Sequence, residues 1–191
     1  MEMWIVIVFA ALIFLFLIFQ FSYDNKMRRR RWKERFQNEW GTVPEREYDY
    51  AELKKISRYF EYQLKKGKIT EPYIDDITWN DLDMDRVFAY ANHAKSSPGE
   101  EYLYYLLRTP VSDQTVLDER ERLIRFFQTH EKERLELELC FAEIGRTRKF
   151  AISDYVDLLV TLKKEKNGIH YLALGTIPLG LLLMTVLPQG V

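Results

Sequence analysis

The stretch DYAELKKISRYFEYQLKKG, residues 49–67, decides the fold class of this chain. Asp49 followed three positions later by Glu52 is a capping-box pattern, in which the Asp carboxylate accepts from a first-turn amide and the Glu reaches back. Leu53, Ile56, Phe60 and Leu64 then recur at helical spacing, and Gly67 suits the left-handed residue that closes a helix. The spacing predicts a helix over 50–66.

Further along, the signals repeat. Tyr73–Asn80, after Pro72, reads as irregular or extended. Asp83 can cap a helix through about Asn92, with Met84, Val87, Phe88 and Ala91 on one face. Ser97-Pro98-Gly99-Glu100 is a start signal, with Ser97 as cap, Pro98 in the first turn and Glu100 explained by capping. The helix Pro98–Arg108 carries Tyr102, Leu103, Leu106 and Leu107, and Pro110 ends it. Another begins near Asp113, with Val116, Leu117, Leu123, Ile124 and Phe127 on one stripe. Residues 131–145 and 154–167 complete the set, the latter capped by Ser153. Leu135-Glu-Leu-Glu-Leu139 alternates like a strand, yet Leu and Glu are strong helix formers and no partner strand is evident. The middle of the chain is all-α.

Two apolar stretches lie outside this region, Trp4–Phe21 and Ile169–Leu187. At about 1.5 Å per helical residue each is long enough for the roughly 30 Å hydrocarbon layer of a bilayer. Glu2 and the absence of a small-residue cleavage site argue against a signal peptide. Lys26, Arg28, Arg29, Arg30, Arg31, Lys33 and Arg35 follow the first stretch, and Lys163, Lys164 and Lys166 precede the second. The positive-inside rule then places the N-terminus outside and residues 22–168 in the cytoplasm, in a multi-pass cell-membrane protein. The expected domains are an anchor (1–21), a basic juxtamembrane linker (22–48), a helical domain (49–168) and a second transmembrane helix (169–188). The fold expectation is all-α, with two transmembrane helices flanking a cytoplasmic helical domain. Gly175, Pro178 and Gly180 suit close packing against a returning helix, so the second stretch reads as half of an interrupted hairpin.

Residues 22–168 hold all 28 Lys and Arg and all but one of the 29 Asp and Glu, so their formal net charge is zero. No long-range field selects a polyanion. The Arg cluster is better read as topological, touching anionic lipid, than as a nucleic-acid patch. The lone Cys140 excludes an intramolecular disulfide and, among Leu135, Leu137, Leu139 and Phe141, reads as a buried thiol.

Chemistry is sparse. Asp75, Asp76, Asp81, Asp83 and Asp85 lack the Gly turn and terminal Glu of a calcium loop, so caps and solvated carboxylates explain them. His93 and His130 have no His or Cys at ligand spacing and read as surface or inter-helix residues. Glu100 and Glu101 are adjacent and are not expected on one helix face. Gly175 and Gly180 have the glycine spacing of a phosphate-binding loop, but Leu181 stands where its Lys is needed. No catalytic, cofactor-binding or metal-binding residue is assigned.

One region does carry a family pattern. Residues 77–127, ITWNDLDMDRVFAYANHAKSSPGEEYLYYLLRTPVSDQTVLDERERLIRFF, resemble the start of the core (lever) domain of MutS-type mismatch-repair ATPases. The corresponding parts are Leu82–Asn92, the turn Ser96-Ser97-Pro98-Gly99, Tyr102–Arg108 with Pro110, and Val116–Phe127 with Arg120 and Arg122. The anchor and the WNDLDMD form look most like a membrane-tethered, MutS-related bacterial branch. In the family this helical hub links a DNA clamp to a C-terminal ATPase and is not itself catalytic. The resemblance implies ATP and Mg only for a longer product, since no cofactor residue lies in this chain. It departs at Phe141-Ala-Glu143, a Phe-x-Glu triplet inside an apolar helix, and there is no mismatch-reading domain ahead of the match.

The function expected is the N-terminal portion of a membrane-bound MutS-like ATPase, supplying anchor and lever helices to a DNA-repair-type ATPase downstream. The alternative is a self-contained membrane scaffold that binds a protein partner. The partners expected are the lipid bilayer, a second copy of the chain and, by resemblance only, DNA.

Overall fold

A computed structural model describes residues 2–44, 46–162, 168, 170–171 and 174–176, and among them the regular elements are helices. They are α1 (Glu2–Glu39), α2 (Tyr50–Lys65), α3 (Asp76–Asp81), α4 (Met84–Ala91), α5 (Ser97–Arg108), α6 (Gln114–Thr129), α7 (Glu131–Ile144) and α8 (Ile152–Thr161). The chain divides into two units, Met1–Tyr155 and Val156–Val191. The first holds α1 to α7 and the start of α8.

The expectation of two transmembrane helices is corrected. Among the described residues no helix is long and apolar enough to cross a membrane. Beyond Phe21, α1 continues without a break into the Arg-rich segment as far as Glu39, where a linker was expected. The second apolar stretch, Ile169–Leu187, lies outside the described residues apart from 170–171 and 174–176, and residues 163–167 lie outside them too.

The basic half of α1 packs instead on α7. Phe36, Leu135 and Leu139 are buried together, with Trp32 and Ala142 against them. Leu135 and Leu139, four apart, share one helix face, while Leu137 is exposed, which answers the strand-like alternation of that segment. Polar contacts flank the seam: Arg29 pairs with Glu143 at 3.1 Å, Gln37 donates to Glu131 at 2.9 Å, and the Arg134 guanidinium lies 3.5 Å from the Trp40 ring centroid. Glu143, from the Phe-x-Glu triplet, is thus a helix-pairing residue. Cys140 is exposed, not buried, because it faces away from this seam.

The main core lies between α2 and α5. Ile56, Phe60, Trp79, Phe88 and Tyr104 are buried, ringed by half-buried side chains that include Tyr48, Leu53 and Leu107. Its aromatic rings meet edge-on or tilted, with Trp79 and Tyr104 centroids 4.7 Å apart and Phe88 and Tyr104 5.8 Å apart. α2 begins and ends as its sequence dictates. Asp49 accepts the Glu52 amide at 2.7 Å. At the other end Gly67, at φ +64°, lets its own N–H reach Leu64 O and the Lys68 N–H reach Gln63 O. The Glu52 side chain does not turn back to the cap; it pairs with Arg46 at 3.1 Å.

Four starts differ from expectation. Residues 76–81 form α3 rather than an irregular stretch, because Asp75 caps it by accepting the Thr78 amide at 2.7 Å. Asp83 precedes α4 in a left-handed conformation, φ 49°, and its side chain makes no capping bond. The cap of α5 is Ser96, one residue earlier than expected. α6 begins as read, with Asp113 accepting the Thr115 amide at 2.8 Å. Ser153 lies inside α8, whose start is tied instead by Asp154 accepting the Ala151 amide at 3.1 Å.

Candidate functional site

The buried stripe of α5 is polar. Ser97, Glu100, Glu101, Tyr104 and Arg108 face inward, at the three- and four-residue spacing of one helix face. The apolar set picked out from the sequence lies elsewhere: Tyr102 is half exposed, and Leu103, Leu106 and Leu107 are only partly covered. Every inward carboxylate and guanidinium has a partner on a different segment, so this stripe ties the unit together.

Its first station is Glu100. The carboxylate is buried, and one of its oxygens accepts from Arg46 Nη1 at 2.6 Å and from Arg146 Nε at 2.8 Å. Arg46 also reaches Glu52 and lies over the Tyr48 ring at 4.5 Å; Arg146 Nη2 donates to Ala94 O at 2.6 Å. Glu100 therefore does not cap α5. It joins the 46–48 segment, the α4–α5 linker and the loop after α7. Ser97 supports the same loop: its N–H donates to Gly145 O, and its hydroxyl accepts from the Thr147 amide at 2.9 Å. Lys55 of α2 donates to Thr147 O at 2.8 Å.

Glu101 is buried beside Glu100, which corrects the expectation that two adjacent residues would not share a helix face. Loops from two directions wrap this helix start, so neither side is open. One Glu101 oxygen accepts the Ile152 amide at 2.9 Å, while the other has no hydrogen-bond partner among the described residues. Burial pushes its pKa up to about 7, against the opposing effects of the Ile152 N–H and Lys55.

The second station is Arg108, the Arg of the Leu107-Arg108-Thr109-Pro110 segment. It is buried, with its guanidinium carbon 4.3 Å from the Trp79 ring centroid, 5.2 Å from that of Phe60 and 5.3 Å from that of Tyr104. It donates to Ile74 O, Asp76 Oδ1 and the Tyr104 hydroxyl, at 2.9, 2.8 and 2.8 Å. One side chain thus holds α2, α3 and α5. Hydropathy could not find it, since Arg scores as surface; the aromatic residues just before it in sequence, Tyr102, Tyr104 and Tyr105, are the signal nearest to it.

The remaining chemistry-bearing residues are scattered. Asp75 caps α3, Asp76 pairs with Arg108, and Asp85 accepts from Trp79 Nε1 at 2.8 Å. Among the described residues no group of His, Cys, Asp and Glu is arranged to hold a metal ion. His93 is exposed, and His130 sits between α6 and α7, stacked on Phe126 at 4.1 Å. Arg122 and Arg125 pair within α6 with Glu119 and Glu121. Comparison with protein-family models, curated proteins and solved structures finds no match to this chain.

Proposed function

We propose that this chain is a helical lever, the N-terminal part of a MutS-like ATPase that works at a lipid surface, with the ATPase encoded downstream. The observation that carries this reading is the Arg108 cage. The Leu-Arg-Thr-Pro segment that bears the resemblance is the residue-level tie between α2, α3 and α5. A lever needs such rigidity, because a soft hub would absorb motion rather than transmit it. Gly99, from the same pattern, is equally structural: a Cβ there would meet Ala94 Cβ at 3.1 Å. The lipid part rests on α1. Phe9, Phe14, Leu15 and Phe19 are more than half exposed, and a helix that is apolar all round needs a non-aqueous cover.

The coding sequence beyond Val191 tests the proposal. It is expected to run on into a GxxxxGK[ST] loop; a frame that stops at Val191, with no ATPase encoded beside it, overturns the reading.

A second reading, a scaffold that binds a protein, is favoured by α6. None of its residues is buried, and Leu117, Leu123 and Ile124 are exposed along the predicted stripe. A salt-dependent shift of DNA by the intact chain would count against it.

A further inference from the structure

Beside the Glu100 station lies a concavity of about 460 Å3. Its walls come from four parts of the chain: Arg35 and Glu39 of α1, Arg46 from the stretch before α2, the α4–α5 linker with His93 and Lys95, and Arg146. Four cations therefore converge on one hollow, and Glu39 is the only carboxylate among its described lining residues. We propose that this hollow binds the phosphate group of a soluble small molecule.

The cations are already held in place. Arg46 and Arg146 are both fastened to the same Glu100 oxygen, and Arg46 is further braced by Tyr48. Lys95 is largely covered, with its ammonium 4.4 Å from the Phe36 ring centroid. Side chains fixed by a second contact lose little freedom when a ligand arrives, so binding energy is not spent on ordering them. Guanidinium groups offer several N–H donors in a fork that matches phosphate oxygens.

Glu39 already supplies an anion to this hollow. Its two oxygens take Lys95 Nζ at 2.6 Å and Arg35 Nε at 3.3 Å, a carboxylate bridging two cations from separate elements. It is also 43 % exposed, so it can swing into water. An incoming phosphate then exchanges for it at Arg35 and Lys95 while Arg46 and Arg146 keep Glu100. The exposed His93 ring makes no hydrogen bond among the described residues and adds a donor at the rim.

The source is soluble rather than a headgroup. Arg35 lies about 14 residues beyond Phe21, roughly 21 Å along α1 from the end of its apolar run, too far for a headgroup seated beside that run.

The test is titration calorimetry of the intact chain in detergent micelles, with pyrophosphate as the probe. Saturable one-to-one binding is expected. Arg35→Gln and Lys95→Gln are each expected to weaken it by about ten-fold, the loss of one charge-assisted contact. Glu39→Gln is expected to tighten it, because the competing carboxylate is gone; a merely structural network would not improve on that change. Arg46 and Arg146 are left intact because they hold buried Glu100. No saturable heat at about 10 mM probe, a weak-binding limit, overturns the proposal. So does pyrophosphate binding that Glu39→Gln, Arg35→Gln and Lys95→Gln all leave unchanged. Binding to phosphoinositide vesicles or to duplex DNA that needs Arg35 and Lys95, with no competition by pyrophosphate, also overturns it.

Discussion

Glu101 shows how one enclosed carboxyl can shape the acid–base behaviour of the whole unit. Burial raises its pKa to about 7, well above the unfolded value near 4.5, so the folded chain holds a proton that the unfolded chain releases. The stability this gives is fully present below pH 4.5 and is lost as pH rises through about 7. Glu101→Gln mimics the protonated form. The variant is expected to show a urea midpoint that changes less between pH 5 and pH 8 than that of the parent, and a higher midpoint at pH 8. A parallel decline in both would show that another group titrates. Glu100→Gln leaves two guanidiniums facing a neutral amide, at an expected cost of about 3 kcal/mol, read from the same denaturation curves.

Elements meet here through a few defined contacts, and glycines show the difference between two kinds of constraint. Gly99 has an ordinary backbone but no room, since a Cβ would lie 3.1 Å from Ala94 Cβ. Gly67 has open space around it, yet its φ of +64° strains any side-chain-bearing residue. Gly99→Ala is therefore expected to cost about 1–2 kcal/mol by pressing the α4–α5 linker outward, and Gly67→Ala about 1 kcal/mol by backbone strain alone. Shortening the neighbour separates them: Ala94→Gly should rescue Gly99→Ala in thermal unfolding and leave Gly67→Ala unimproved. The α1–α7 seam is thinner, with three buried apolar side chains. Leu135→Ala there removes a large share of the contact, and the expected loss is about 2–4 kcal/mol.

For the molecule as a whole, α1 carries two surfaces in sequence. Val8, Phe9 and the apolar side chains from Leu12 to Phe21 are exposed, and residues 26–35 expose many of the cations that follow, including Arg30 at 73 %. A helix of that pattern is expected to sediment with anionic vesicles. Replacing Arg28, Arg30 and Arg31 by Gln should weaken sedimentation at low salt far more than at high salt, because the screened contribution is theirs. Equal loss at both salt levels would indicate that the apolar segment alone binds. Neither outcome bears on the phosphate site, whose residues lie further along the chain.

Local chemistry settled the helices. The Asp49 and Asp113 caps, the Gly67 stop and the all-α content follow from side-chain spacing over one or two turns, and the structure has them where the sequence put them. Those signals are short-range, so no partner is needed to produce them. What faces inward was another matter. Hydropathy pointed to Tyr102, Leu103, Leu106 and Leu107 as the inner face of α5, yet the enclosed stripe runs through Glu100, Glu101 and Arg108. A charge is buried only when distant segments supply its counter-charge, and Arg46, Arg146 and Asp76 arrive from 54, 46 and 32 residues away. The exposure of Cys140 and the convergence of four cations beside Glu39 have the same origin. Periodicity reports which face of a helix is apolar; only the packed chain decides which face is covered, because covering is a property of the neighbours.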